Sequence, residues 1–520
     1  MLKDNYDIVL TAFDHLVFEK LVPADHYLRQ LKAAVDFNSL RPLVAECYSS
    51  DLGRGAMDPV RLLKLLLLQF HYGLSDEGVI RQAQVNVAFR FFLDLPLEAA
   101  LPEPSLLSQF RTRLGQERFT RVFHDILRQA REKGLVKDRL RLKDATHVLA
   151  NIAVPTTIRL LAQVRTRLLD AAECFAPEET AAHREQAAEI RQATADLKDE
   201  ARLLRRVEHL RELAAWGDAW QARLPELTQS DPPLCSEQQQ TAFETALELA
   251  HKVLNDREPK AKDKLLSLTD ADARRSKHGE YYDGYLLDVS LDADSNLICG
   301  IDALPANSDE AANAQALIES EEAAHGNDIE SLSIDAVGYN GHVLKALSDS
   351  VDGPQLTVFV PPKPDWSQTP DLYQPEDFKL NETGDELTCP NGATTRTRYR
   401  DGKDHGWVYY FKASQCEACP LRANCLKSDK RGPRKVSKND FQAQYKAAKE
   451  RATTDEYKQI RKEHPAIERK LNELVRWHDG RRVRYRGRLR VKVQYLLLGI
   501  VVNCKRIVRL LTAAPAAQPA

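Results

Sequence analysis

Residues 139–150 read RLRLKDATHVLA and decide how the chain is interpreted, because they bring the first strand pattern into a sequence that begins as helices. Leu140 and Leu142 alternate with charged residues, which is the period of a half-buried β-strand. Asp144 follows the alternation, where a carboxylate is costly to bury unless it has a partner or a chemical task. Taken alone, such an aspartate is more often a strand-end or turn residue, so we treat Asp144 as a candidate.

Upstream of this strand, the first 135 residues carry the start and stop signals of several helices. Asp58-Pro59 begins one of them, since aspartate is a favoured N-cap and proline is tolerated at the first helical position. Ser75 can cap the next helix, and Ser105 opens another that ends at Gly115. We predict an all-α N-terminal domain over this region, with helix–turn–helix-like pieces or with a plain dimerisation or packing role.

Downstream of the strand, residues 156–264 form a predicted helical insertion. Ile190, Leu197 and Leu204 recur at seven-residue steps, which is typical of a helical hairpin or a short coiled coil. Such an insertion can shape the active site, pair with a second protomer or touch a nucleic acid. The sequence leaves these three roles open.

The strand pattern then returns, and 284–291 and 296–304 form a predicted hairpin around a short polar turn. A predicted helix over 308–324 follows, and further strands alternate with helices up to residue 365. This order predicts a mixed α/β core made of 136–155 and 265–365.

Asp335 stands in SLSIDAVGYNG and ends an apolar strand in the way that Asp144 does. Two aspartates presented by strands of one α/β domain can hold Mg²⁺ through oxygen ligands. Two such ions about 3.5–4 Å apart would stabilise the attacking and leaving oxygens of a phosphoryl transfer. A third carboxylate, placed on a helix, would complete a site of this kind.

Four of the nine cysteines, Cys389, Cys416, Cys419 and Cys425, lie close together with the spacing C-x26-C-x2-C-x5-C. Four thiolates on tight turns are the ligand set of a structural zinc site, which has no open position for water. The alternative is a set of free or redox-active thiols. We predict a Cys-rich insert over 366–430.

The overall composition is that of a globular protein, with 43% hydrophobic and 29% charged residues, which excludes a collagen-like or disulfide-dense chain. The longest apolar run, 495–502, is too short for a membrane helix. The start of the chain lacks the features of a secretory signal, and clustered cysteines are typical of a reducing compartment, so we expect a cytoplasmic protein with no membrane contact.

The formal net charge of −2 is the sum of two unlike parts. Residues 422–509 hold 26 Lys+Arg and nine Asp+Glu, a net charge of +17, while the remainder carries −19. Such asymmetry between segments indicates contact with nucleic acid or with an acidic surface. A salt-bridged helical face is the alternative.

The basic part over 431–512, which precedes a short tail over 513–520, combines carboxylates with cations. Glu463, Glu468 and Glu473 are candidates for the third carboxylate, and Pro465 predicts a helix with Glu468 in its first turn. We predict phosphate contacts for eight cations: Arg476, Arg481, Arg482, Arg484, Arg486, Arg488, Arg490 and Lys492. Trp477 and Tyr485 could stack on exposed bases, and a solvated amphipathic helix is the alternative.

The chain from about residue 40 to 510 resembles the bacterial insertion-sequence DDE transposases that have a helical N-terminal domain and a Cys-rich insert. The resemblance rests on five pieces in the right order. They are DPVRLLKLLLLQF with PEPSLLSQFRTRLG (58–70 and 102–115), KDATHVLAN (143–151), SIDAVGYNG (333–341), LTCPNG with QCEACPLRANC (387–392 and 415–425), and IERKLNELVRWHDGRRVRYRG (467–487).

This resemblance implies an RNase H-like catalytic core with a long helical insertion, preceded by an N-terminal domain that binds DNA. It also implies two Mg²⁺ or Mn²⁺ ions held by Asp144, Asp335 and Glu468. The implied reaction is cleavage at the ends of a mobile element, followed by attack of the freed 3′-OH on target DNA. The implied partners are the terminal inverted repeats, the target DNA and a second copy of the chain.

The sequence departs from some relatives around the third carboxylate. A common pattern has tyrosine and arginine before the glutamate and lysine after it, and these places hold Arg461, His464 and Val475 around Glu468. Arg476 can stand in for the lysine. Two other functions remain open, namely an inactive or repurposed DNA-binding derivative and an RNase H-like nuclease without strand transfer.

Overall fold

The structure is a computed structural model, and it describes residues 9–49, 55–228, 235–349, 353–363, 372–401, 406–426 and 432–513. Within these ranges, seven α-helices precede the first strand. They are α1 (Ala12–Leu21), α2 (Tyr27–Ala34), α3 (Arg41–Ala45), α4 (Pro59–His71), α5 (Asp76–Val85), α6 (Val87–Leu93) and α7 (Ser105–Glu132). The predicted all-α N-terminal region is therefore confirmed.

The helix starts follow from local capping. Asp58 accepts a hydrogen bond from the Val60 N–H at 3.0 Å, and Ser75 accepts one from the Gly78 N–H at 3.0 Å, so each satisfies a donor that the first turn leaves free. The helix expected to end at Gly115 is broken there, since the φ of Gly115 is +65°, but a second helical stretch continues directly to Glu132.

The N-terminal helices share one hydrophobic core with the end of the chain. The last helix, α18 (Arg488–Thr512), packs against α2, α4 and α7, and its side chains are buried along most of its length. A Cβ atom at Gly499 would meet the Cδ1 of Ile301 at 2.4 Å, so glycine allows the helix and the strand to approach here without displacing that side chain. The first and last parts of the sequence thus pack directly on each other and form one structural unit together with the sheet.

The central sheet has six strands: β1 (Arg141–Leu149), β2 (Arg274–His278), β3 (Glu280–Asp292), β4 (Ile298–Pro305), β5 (Ser331–Ile334) and β6 (Thr357–Phe359). The order is β4-β3-β1-β5-β6, and β2 pairs with the beginning of β3. β3 is antiparallel to its neighbours, whereas β1, β5 and β6 are parallel to one another. The predicted hairpin is β3–β4, and the mixed α/β class is confirmed.

Two helices lie between the later strands, α12 (Ala314–His325) and α13 (Gly341–Ser348). They bury their apolar sides with β5 and β6 in a second core. α12 begins six residues after the predicted position, because residues 306–313 form turns in which Asp309 accepts a hydrogen bond from the Ala311 N–H at 2.9 Å.

The insertion between β1 and β2 contains four helices around a core of its own: α8 (Thr157–Ala172), α9 (Pro177–Ala193), α10 (Asp199–Thr228) and α11 (Glu237–Asn255). The insertion is helical, as predicted, and of its two predicted patterns the short turn between α9 and α10 fits a helical hairpin and not a continuous coiled coil. The seven-residue steps cross the break between α9 and α10, and Leu197 and Leu204 are 42% and 59% exposed.

In its described residues, the Cys-rich region forms two small antiparallel sheets and one short α-helix. The strands are β7 (Lys379–Leu380), β8 (Leu387–Thr388), β9 (Thr394–Thr395), β10 (Arg398–Asp401), β11 (Gly406–Tyr410) and β12 (Lys435–Asn439), and the helix is α14 (Ala413–Glu417). Phe378, Leu387, Tyr409, Phe411 and Val436 make a small core between the sheets.

The basic C-terminal part returns to helices: α15 (Gln442–Ala452), α16 (Asp455–Glu463) and α17 (Pro465–Asn472), followed by a π-helical turn at Glu473–Trp477. Residues 478–487 are irregular, so the alternative interpretation of this segment as one solvated amphipathic helix over Arg476–Lys492 is wrong. In the described ranges, no helix combines the length and the apolarity needed to cross a membrane. Apart from Ala513, the predicted tail lies outside the described residues.

Candidate active site and DNA-binding surface

The two candidate aspartates are neighbours across the parallel pair β1–β5. The register pairs Lys143 with Ile334, so one further step brings Asp144 beside Asp335, which directly follows β5. Because strand residues two apart share a face, Asp335 lies on the face that carries Ser333. The Asp335 carboxylate also caps the turn that follows, accepting a hydrogen bond from the Val337 N–H at 3.1 Å.

The helices that carry the third candidate are tied to the same strand end. Arg461 donates to the Ile334 carbonyl oxygen at 3.0 Å and to the Ser333 Oγ at 3.2 Å. The Nδ1 of His464 lies 3.0 Å from the same Ser333 Oγ. Arg461, His464 and Glu468 are three and four residues apart, so they lie on one side of the helical segment. This spacing predicts that Glu468 lies on the side of α17 toward the end of β5.

The charges of the site are electrostatically coupled. Burial raises the pKa of Asp144 to about 7, the nearby carboxylates of Asp335 and Glu310 add to the rise, and the Ala145 N–H opposes it. Burial lowers the pKa of Arg461, while Tyr457, Asp335, Glu468 and Asp144 oppose that change. One guanidinium group thus experiences all three candidate carboxylates, which means that they occupy one region.

The other two glutamates of the C-terminal segment have different partners. Glu463 accepts a hydrogen bond from Arg139 at 2.8 Å, and Glu473 accepts one from Lys470 at 2.7 Å. Glu468 is exposed and forms no ion pair within the described residues. The geometry therefore favours Glu468 as the third carboxylate, and its catalytic role remains a prediction.

The donor chemistry of this region fits a hard divalent cation. Carboxylate oxygens are the ligands that Mg²⁺ and Mn²⁺ prefer. Burial is the main cause of the raised pKa of Asp144, and a bound cation would offset both that burial and the smaller repulsion from Asp335 and Glu310. Among the residues that the structure describes, no three His, Cys, Asp or Glu side chains are already arranged to hold a metal ion.

Two charged residues of this region escaped the sequence analysis. Lys143 belongs to the polar positions of the strand alternation, yet it is 2% exposed and pairs with Asp288 at 2.8 Å. It also donates to the carbonyl oxygen of Glu310. Glu310 is half-buried, and burial and Asp335 raise its pKa. Glu310 lies in a turn without a motif, so nothing in the sequence marks it.

The eight predicted DNA-binding cations fall into two groups. Five side chains have partners within the protein. Four arginines donate hydrogen bonds to backbone carbonyl oxygens: Arg481 to His147, Arg484 to Leu74, Arg486 to Asn151 and Arg488 to Ala303. Lys492 forms an ion pair with the Asp302 carboxylate. Three are exposed and have no side-chain partner in the described part of the chain: Arg476, Arg482 and Arg490. These three are the cations that remain free for a ligand.

The two aromatic residues of this segment also differ. Trp477 is 82% exposed, so its indole is accessible to a nucleic acid. Tyr485 is half-buried, and the Arg111 guanidinium lies 5.2 Å from its ring centre. Burial raises the pKa of Tyr485. Of the two, only Trp477 has a face free for base stacking.

The four clustered cysteines come together in the Cys-rich region. Burial raises the pKa of the Cys425 thiol, and the thiols of Cys416, Cys389 and Cys419 add to the rise against the opposing charge of Arg434. Gly392, with a φ of +80°, makes the turn after Cys389 and donates its N–H to the Cys389 carbonyl oxygen at 2.9 Å. Four half-buried thiols fit zinc, although in the described residues they are not arranged around an ion.

Two family models match the chain, a "Transposase domain (DUF772)" over residues 16–113 and a "Transposase DDE domain" over residues 388–508. Both matches are to transposase domains, and together they support an insertion-sequence DDE transposase. This transposase has no match among curated proteins, and no solved structure matches it either.

The second match includes Glu468, the four clustered cysteines and all eight predicted DNA-binding cations of the transposase. Asp144 and Asp335 lie outside both matches. Their assignment therefore depends on the register of β1 and β5 rather than on the family models.

Proposed function

We propose that this transposase cuts the ends of an insertion sequence and joins the freed 3′-OH ends to target DNA by in-line phosphoryl transfer. The observation that carries the proposal is the parallel register that makes Asp144 and Asp335 neighbours, with Arg461 tying the Glu468-bearing helices to the same strand end. The strand order β4-β3-β1-β5-β6, antiparallel and then parallel, supports an RNase H-like core.

Asp144, Asp335 and Glu468 would hold two Mg²⁺ or Mn²⁺ ions. Bound there, the ions stabilise charge on the attacking and leaving oxygens of the phosphoryl transfer. Arg461 has a positioning role, since its hydrogen bonds hold the helical segment at the end of β5. The burial of Asp144 excludes water from one side of the carboxylate and keeps its orientation, with the Ala145 N–H donating to it at 2.8 Å.

Arg476, Arg482 and Arg490 supply free guanidinium groups for DNA phosphates, and Trp477 supplies a face for stacking. The DNA substrates would be the terminal inverted repeats and the target, and a homodimer would hold two ends together. Such an activity belongs in the cytoplasm, at the nucleoid. A structural zinc ion on Cys389, Cys416, Cys419 and Cys425 would brace the Cys-rich region.

The test uses labelled DNA from the borders of the element, a target plasmid and Mg²⁺. Asp144→Asn, Asp335→Asn and Glu468→Gln should each reduce cleavage and joining to background while DNA binding persists. The matched controls are Glu463→Gln and Glu473→Gln, which remove carboxylates that pair with Arg139 and Lys470. Chelation with EDTA should stop the wild-type reaction.

The products distinguish the alternative functions. Cut ends without joined DNA would identify a nuclease without strand transfer, and binding without any Mg²⁺-dependent cutting would identify a repurposed derivative. Full strand transfer by Asp144→Asn would contradict the proposed site. Loss of activity in Glu463→Gln or Glu473→Gln, with Glu468→Gln active, would move the third carboxylate.

A further inference from the structure

A cleft of about 560 Å³ lies where both ends of the helical insertion meet the sheet. Its walls come from the chain around Pro155 and the start of α8, from residues 257–266 after α11, and from β2. The cleft lies beyond the carboxyl end of β1, in the direction in which the parallel strand β5 also points, and Asp144 is five residues before that end of β1.

The charged lining of the cleft is strongly basic. In the described part of the chain, five basic side chains and one acidic side chain face it: Arg257, Lys262, Lys264, Arg274, Arg275 and Asp263. Asp263 is already neutralised, because Arg274 contacts it at 2.5 Å. Arg275 pairs with Asp283 at 2.7 Å. The remaining three cations therefore give the cleft its net positive charge.

Two of these three cations lack side-chain partners in the described ranges, and the third makes one long hydrogen bond, from the Arg257 Nη1 to the Thr157 Oγ1 at 3.5 Å. Lys262 and Lys264 are exposed, and neither side chain makes a hydrogen bond or an ion pair with another described residue. The Nε of Arg257 is buried without a hydrogen-bond partner in the same described ranges. A buried donor without an acceptor carries an energetic penalty, and an anionic ligand in the cleft would remove it.

We propose that this cleft binds the sugar–phosphate backbone of DNA, so that the helical insertion is a DNA-gripping element. The size of the cleft suits a short run of backbone, and its lining provides N–H donors and cations rather than a surface for reading bases. The inference rests on the proposed function and adds a second basic contact, far along the chain from Arg476, Arg482 and Arg490.

The test is the salt dependence of DNA affinity in the double variant Lys262→Gln/Lys264→Gln, measured by fluorescence anisotropy on an element-end duplex. Each lost phosphate contact should lower the slope of log affinity against log salt by about 0.9 and weaken binding about eightfold near 0.1 M salt. Lys260→Gln is the matched control, since Lys260 is exposed nearby but does not line the cleft. Both lysine changes lie on the surface, and thermal melting verifies folding.

A slope and an affinity equal to those of Lys260→Gln would overturn the inference. Displacement of the DNA by dTMP, at the concentration at which dTMP saturates the cleft, would also overturn the inference, because that outcome identifies a mononucleotide site. A change of oligomeric state without a change in salt slope would likewise reject DNA as the occupant. The proposed function is judged separately, since wild-type cleavage and joining can succeed even when the double variant binds DNA normally.

Discussion

A buried ion network fixes the strand that carries Asp144, and its disruption is the first prediction. Arg141, three residues before Asp144, is fully buried and donates to Glu321 of α12 at 2.6 Å and to Asp292 of β3 at 2.9 Å. Arg131 of α7 also contacts Glu321. The network therefore joins the N-terminal helices, the sheet and α12 around one carboxylate.

The perturbation is Glu321→Gln, which keeps the shape of the side chain and removes its charge. Burial alone would raise the pKa of Glu321, but the guanidinium groups of Arg141 and Arg131 outweigh it, so the pKa is lowered and the group is ionised. Removing one member of a buried ion pair costs about 3–5 kcal/mol, because the remaining charges stay buried without compensation. Since glutamine still accepts a hydrogen bond, we expect a cost of about 3 kcal/mol.

Hydrogen–deuterium exchange of peptides that cover β1 and α12 measures this cost as a local opening free energy. A loss of about 3 kcal/mol corresponds to exchange about 150-fold faster at those amides. Glu319→Gln is the control, because Glu319 is exposed on the same helix and should change stability by less than about 0.5 kcal/mol. Equal exchange in the two variants would refute the reasoning.

Two further predictions concern zinc and pH. The purified protein should contain zinc by elemental analysis. The double variant Cys416→Ser/Cys419→Ser should lose the zinc, whereas the control Cys47→Ser should keep it. An absence of zinc from the wild type would refute the site. Burial lowers the pKa of His464 in the folded protein to about 4, whereas its pKa in the unfolded chain is about 6.5. The neutral, buried imidazole therefore contributes its full share to the free energy of unfolding above about pH 6.5, and this share is lost as the pH falls toward 4. Between about pH 7.5 and 5 the wild type should therefore lose about 2 kcal/mol more than His464→Asn in urea unfolding, and equal losses would contradict the assignment.

Local features of the fold could be predicted because they depend on near neighbours. Asp58 and Ser75 cap helices through hydrogen bonds that span two or three residues, and the β3–β4 hairpin follows from alternation around a short turn. The two mistakes that matter have a common cause. Periodicity cannot detect the break between α9 and α10, and it cannot show that Lys143 is buried by a partner on another strand.

The sequence by itself determined the helix caps, the strands of the mixed α/β core, the clustered cysteines and the concentration of positive charge near the end of the chain. The tertiary structure alone decided which charges meet. The pairing of Asp144 with Asp335 depends on the register of two strands that are distant along the chain, and the use of Arg484 or Lys492 inside the protein depends on acceptors from other elements. Charge can be counted from composition, but coupling between charges depends on distance and burial, which only the folded chain sets.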